Sequence, residues 1–118
     1  MNDMSEVPDA PAFHFDGENE IVKTRFMGTV TLRDVGYERV EAIIYMENRA
    51  TVTDEDTRTM MDRVIRRLLI ESAEGERGER LTNDLFAHLP GRLMFDMTAL
   101  RKAVMRLYGL DQDDVKNE

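Results

Sequence analysis

The chain has no cysteine and no tryptophan. The first absence excludes disulfides, thiolate catalysis and cysteine-based zinc sites, and with them the staples on which small secreted domains depend. Serine occurs only as Ser5 and Ser72, and neither stands in a glycine elbow, so no serine nucleophile presents itself. Histidine is confined to His14 and His88, which are not at metal-ligand spacing. No window approaches the roughly 18 uninterrupted apolar residues of a membrane span. The opening MNDMSEVPDAP carries acids where a secretory signal needs bases. These absences lead us to expect a cytoplasmic protein that is not an enzyme and uses neither metal nor cofactor.

What is present suits one core. A chain of 118 residues with 42% hydrophobic content is long enough for a single domain and short for two. Nine methionines and five phenylalanines join Leu, Ile and Val as the core-forming set.

Charge is uneven along the chain. Residues 1–22 carry a net charge of -6, residues 111–118 carry -3, and the stretch between them carries +1, for a total of -8. Acidic ends on a near-neutral body favour solubility. They argue against sequence-independent nucleic-acid binding, which needs a net basic face.

Patterning predicts an α+β domain, mainly helical, over residues 12–110, between disordered acidic tails at 1–11 and 111–118. In AFHFDGENEIVKTRF (12–26), Phe13 and Phe15 alternate with polar residues, as do Val22, Thr24 and Phe26. Asp16, Gly17 and Asn19 supply turn chemistry between them. This reads as a hairpin, with a short third strand at Thr29–Thr31 after a bend at Gly28.

Three or four helices follow. Thr31, with Asp34, reads as the N-cap of a first helix whose apolar arc is Leu32, Val35, Val40, Ile43, Ile44 and Met46. Thr53, with Asp56, caps a second, with a stripe of Met61, Val64, Ile65, Leu68 and Leu69 running to Ser72. GERGER (75–80) is a loop that lacks the preceding strand and the Lys-Ser/Thr pair of a phosphate cradle. Thr82 or Asn83 caps a short helical turn, which Pro90 and Gly91 interrupt. The last helix carries Leu93, Met97, Leu100, Val104 and Leu107 and ends at Gly109.

Few residues point to chemistry. Asp54, Glu55 and Asp56 fit a helix N-terminus better than a cation site. DQDDVKNE (111–118) lacks the central glycine and closing glutamate of a calcium loop. Arg63, Arg66 and Arg67, and then Arg101, Lys102 and Arg106, lie off their apolar stripes as solvated faces do. HLPGRL between two helices admits a comparison with helix-turn-helix regulators, but acids are interspersed and no base-reading set opens the last helix.

The last helix carries apolar surface beyond its stripe. Met94 and Met105 fall roughly 100° from the stripe's centre, beside Tyr108, while Phe95 falls nearly opposite it, and Ile70 points away from the second helix's stripe. Methionine with aromatics forms an adaptable surface suited to apolar protein partners. Ile70, Met94, Phe95, Met105 and Tyr108 are therefore the expected partner-binding residues. The competing reading places Phe95 in a bend before an Asp96 cap, with Met94 and Met105 in an ordinary core.

The order of features from Phe13 to Leu110 resembles that of the small tail assembly chaperones of long-tailed bacteriophages, with a hairpin at FHFDGE, TLRDV opening the first helix, and a helical remainder. The resemblance implies a protein that coats a long, apolar, helical tape-measure client and keeps it soluble until tail-tube subunits polymerise around it. The partners so implied are that client and a second copy of the chain, in the host cytoplasm, with no membrane and no nucleic acid. A helix-turn-helix regulator, and an inhibitor or antitoxin capping a host protein, are the alternatives.

Overall fold

In a computed structural model, the described residues are Phe13, 19–50 and 57–110. The tails at 1–11 and 111–118, the segment around Phe15 and the Thr53 cap with Asp54–Asp56 lie outside them. The architecture is α+β, a three-stranded antiparallel sheet and four helices, with the hairpin first and the helices after it. Strands β1 (Glu20–Lys23) and β2 (Thr29–Leu32) pair with Val22 opposite Val30 and Ile21 opposite Thr31. Helices α1 (Tyr37–Ala50) and α2 (Thr57–Ser72) follow, and α2 runs directly into β3 (Ala73–Glu74), which pairs with the other edge of β2. A single turn, α3 (Asn83–Phe86), precedes a short 3-10 turn (Gly91–Leu93) that leads into α4 (Met94–Leu107).

One sheet face supplies part of the core. Val30 and Leu32 are buried with Ala73, while Ile21, opposite Thr31, stays exposed, as period-2 alternation requires. Against this face lie Val64, Ile65, Leu68 and Leu69 of α2 and Leu100, Ala103 and Val104 of α4, with Ile43 from α1. Each fully buried Leu, Ile or Val contributes roughly 1.5–3 kcal/mol. Helices α1 and α2 are antiparallel: Arg39, early in α1, pairs with Glu71, late in α2, and Glu47, late in α1, pairs with Arg63 and Arg67.

The hairpin differs from the predicted one. Its turn is residues 24–28, so Thr24 and Phe26 belong to the turn rather than to a strand, and Phe13 is exposed without regular structure. Thr24 closes the turn with its N–H (3.0 Å) and its hydroxyl (2.7 Å), both donated to the Gly28 carbonyl. Gly28 has φ +75, and a Cβ there would meet the Glu76 carboxylate at 2.9 Å, so glycine is required on two counts.

The first helix also starts later than predicted. Thr31 and Leu32 are strand residues, with Leu32 completely buried in the sheet. Asp34 accepts the Gly36 N–H at 2.8 Å, and Gly36 has φ +97, which no helix contains, so the helix begins after it. Within α1, Met46 is exposed rather than part of the core. GERGER does follow a strand, though one of two residues. Asp96 is not a cap before the last helix but lies inside it, since the helix starts at Met94.

Other expectations hold in detail. Thr82 caps α3 by accepting the Leu85 N–H at 3.0 Å. Gly109 has φ +69, and the N–H groups of Gly109 and Leu110 donate to the carbonyls of Arg106 and Met105, closing α4 in a Schellman arrangement. No helix among the described residues is long and apolar enough to cross a membrane.

Candidate functional site

Asp96 organises one end of the molecule. In the 24–28 turn, three successive backbone N–H groups converge, and the Asp96 carboxylate accepts all of them: Arg25 at 3.1 Å, Phe26 at 2.8 Å and Met27 at 3.1 Å. Convergent amides of this kind form an anion site, which here is filled from within the chain. The carboxylate is buried, which by itself pushes its pKa up, yet the three donors outweigh that and hold it below the ordinary aspartate range.

Because Asp96 sits in the first turn of α4, this anchor brings the hairpin turn against the helix start. The turn that carries Phe26 is thereby tied to the helix turn that carries Met94 and Phe95, which precede Asp96 by two and one residues. These side chains are 49%, 68% and 84% exposed, respectively. The Phe26 ring is flanked by the guanidinium groups of Arg25 (5.2 Å) and Arg92 (5.8 Å), which orient it without covering it. Phe26 also borders a groove of about 270 Å³ whose apolar lining includes Met27, Val30, Leu81 and the exposed Leu85. Small-molecule pockets begin at about 300 Å³. The groove is small and mainly apolar, and it can take up an apolar side chain.

The other expected partner-binding residues lie elsewhere. Met105 is half-buried against the core. Tyr108 is likewise half-buried, and its hydroxyl is fully used: it donates to the Arg33 carbonyl (3.2 Å) and accepts the Val35 N–H (3.0 Å). The Ser72 hydroxyl lies 2.6 Å from it and joins the same network. Burial raises the Tyr108 pKa further than its bonds to Ser72 and Val35 lower it.

Ile70 lines a separate cleft of about 520 Å³ with Glu47, Arg63, Arg66, Arg67, Glu71 and Asn83. Sequence reasoning missed Phe26, whose alternation suggested a strand, and Leu85, which carried no signal beyond its apolar character.

The basic residues of α4 are largely engaged. Arg101 pairs with Asp62 at 3.0 Å and Arg106 with Glu20 at 3.4 Å. His88 places Nδ1 2.9 Å from the Asp84 carbonyl. No cluster of three or more metal-ligating side chains occurs among the described residues. No protein-family model matches the chain, and neither the curated proteins nor the solved structures hold a match to it.

Proposed function

We propose that the chain is a non-enzymatic assembly chaperone that binds an apolar helical segment of a client protein at the Phe26, Met94 and Phe95 end. The observation that carries this reading is that the buried Asp96 ties the turn bearing the exposed Phe26, which borders an apolar groove, to the first turn of α4, which bears the exposed Met94 and Phe95. Large exposed apolar side chains on a rigid support are characteristic of protein-interaction sites. Methionine lets such a surface adapt to successive segments of a long client. The resemblance to phage tail assembly chaperones supplies the client class, a tape-measure protein kept soluble in the host cytoplasm.

Within the set expected from sequence, Met94 and Phe95 form the contact face in this reading. Met105 and Tyr108 pack at the opposite end of α4, and Ile70 belongs to another surface. A helix-turn-helix regulator is less well supported, because Arg101 and Arg106 already face carboxylates.

Co-expression with a tape-measure protein tests the proposal. The wild-type chain should hold the client in the soluble fraction, and the double variant Met94→Glu, Phe95→Glu should lose it while keeping its far-UV dichroism and melting temperature. Equal recovery of soluble client with the double variant would refute the assignment.

A further inference from the structure

The Arg66 cleft lies apart from the apolar end. Three guanidinium groups, those of Arg63, Arg66 and Arg67, line it with the carboxylates of Glu47 and Glu71, the Asn83 side chain and Ile70. Arg39 makes a bidentate pair with Glu71, and Arg80 donates to the Glu71 carbonyl at 2.7 Å. Arg39, Arg63 and Arg67 pair with these two carboxylates, and the cleft lining, with three arginines against two glutamates, keeps a local excess of positive charge in a chain whose net charge is -8. The excess centres on Arg66. Among the described residues Arg66 faces no carboxylate, and its guanidinium instead lies 4.6 Å from the centroid of the Phe86 ring. A cation–π contact engages the guanidinium charge and does not use its N–H donors in hydrogen bonds, which leaves those donors available to a second partner.

We infer that this cleft binds an acidic peptide segment of a protein partner, with a Glu or Asp carboxylate seated on the Arg66 edge and an adjoining apolar side chain on Ile70. A guanidinium pairs with a carboxylate as a two-pronged fork, and Asn83, in the same lining, offers an amide for the peptide backbone. A long polyanion would meet the overall negative charge of the chain at every step, whereas a short acidic segment meets the cleft alone. The inference stands independently of the apolar client face.

Binding of a fluorescein-labelled Glu-Glu-Leu-Glu-Glu peptide to the full chain, read by anisotropy at about 50 mM salt, tests it. Saturable binding that weakens about tenfold or more in Arg66→Glu, and that persists in Met94→Glu, Phe95→Glu, is the expected result. Asn83→Asp, a change at an exposed position, should also weaken binding and serves as the readout if Arg66→Glu alters the dichroism spectrum. The inference is overturned if the peptide does not bind, if Gln-Gln-Leu-Gln-Gln binds as tightly, or if Arg66→Glu and Asn83→Asp leave affinity unchanged. It is equally overturned, in favour of a phosphate ligand or of nucleic acid, if inorganic phosphate or duplex DNA binds the cleft more tightly than the peptide in an Arg66-dependent way.

Discussion

The Asp96 carboxylate accepts the Phe26 N–H at 2.8 Å across a sequence separation of 70 residues, and this contact turns a hairpin loop and a helix start into one surface. Asp96→Asn replaces an acceptor with an amide whose N–H₂ group opposes the loop N–H groups. The variant should be less stable at pH 7. The sign of its pH dependence follows from the depressed pKa. The Asp96 contribution is fully present above the unfolded aspartate value of about 3.9 and is lost as pH falls through the lower folded value. Thermal melts of wild type and variant should therefore converge as pH is lowered from 7 toward about 2. A gap that stays constant would mean that the carboxylate charge is irrelevant.

Tyr108→Phe leaves the Val35 N–H and the Ser72 hydroxyl without their partner. Such losses cost about 1–3 kcal/mol, to be read as a lower urea midpoint at an unchanged m-value. Combined with Ser72→Ala, the cost should be less than additive, because the two hydroxyls share one bond.

Glu47 is nearly buried and accepts from Arg63 at 2.7 Å and from Arg67 at 3.2 Å. Burial raises its pKa, and the two arginines together lower it further, so the net direction is down. Glu47→Gln should destabilise by about 1–2 kcal/mol, less than for a fully desolvated pair because both arginines remain about one-third exposed. Like that of Asp96, its contribution is present above the unfolded carboxylate value and fades as the pH falls through the folded one. Chemical denaturation of wild type and variant at pH 7 and in acid would show the difference narrowing.

Met94→Ala and Phe95→Ala should change stability by no more than about 0.5 kcal/mol, whereas Leu100→Ala, at a fully buried position on the same helix, should cost about 2–5 kcal/mol. Calorimetry of the three variants would separate contact face from core. A large loss at Phe95 would mean that its ring is covered in solution.

Helices α2 and α4 were legible because their stripes repeat at the helical period and Gly109 ends the second of them. The hairpin turn was not. Thr24 and Phe26 fit a strand alternation, and what makes them a turn is a threonine hydroxyl, a glycine and a carboxylate far along the chain. Leu32 suits a helix stripe and a sheet face equally well, so only the conformation of Gly36 fixes where α1 begins. Met94 and Met105 share an angular position on α4, yet one is exposed and the other packed, because they stand at opposite ends of the helix with different neighbours. Angular position alone carries no information about what covers each end. The pairing of Glu47 with Arg63 and Arg67 likewise depends on how two helices are laid together.

The amide cradle at 24–28 also sets an order of events during synthesis. Its N–H groups are made long before their acceptor: with Asp96 70 positions after Phe26, a ribosome adding roughly 5–20 residues per second leaves the cradle open for about 4–14 s. During that interval the Arg25 and Phe26 amides lack their acceptor, while the Met27 N–H has the Thr24 hydroxyl 2.9 Å away within the turn. The apolar end can therefore be assembled only after the start of α4 has left the ribosome, so a nascent chain cannot present the proposed contact face before its own core segments exist.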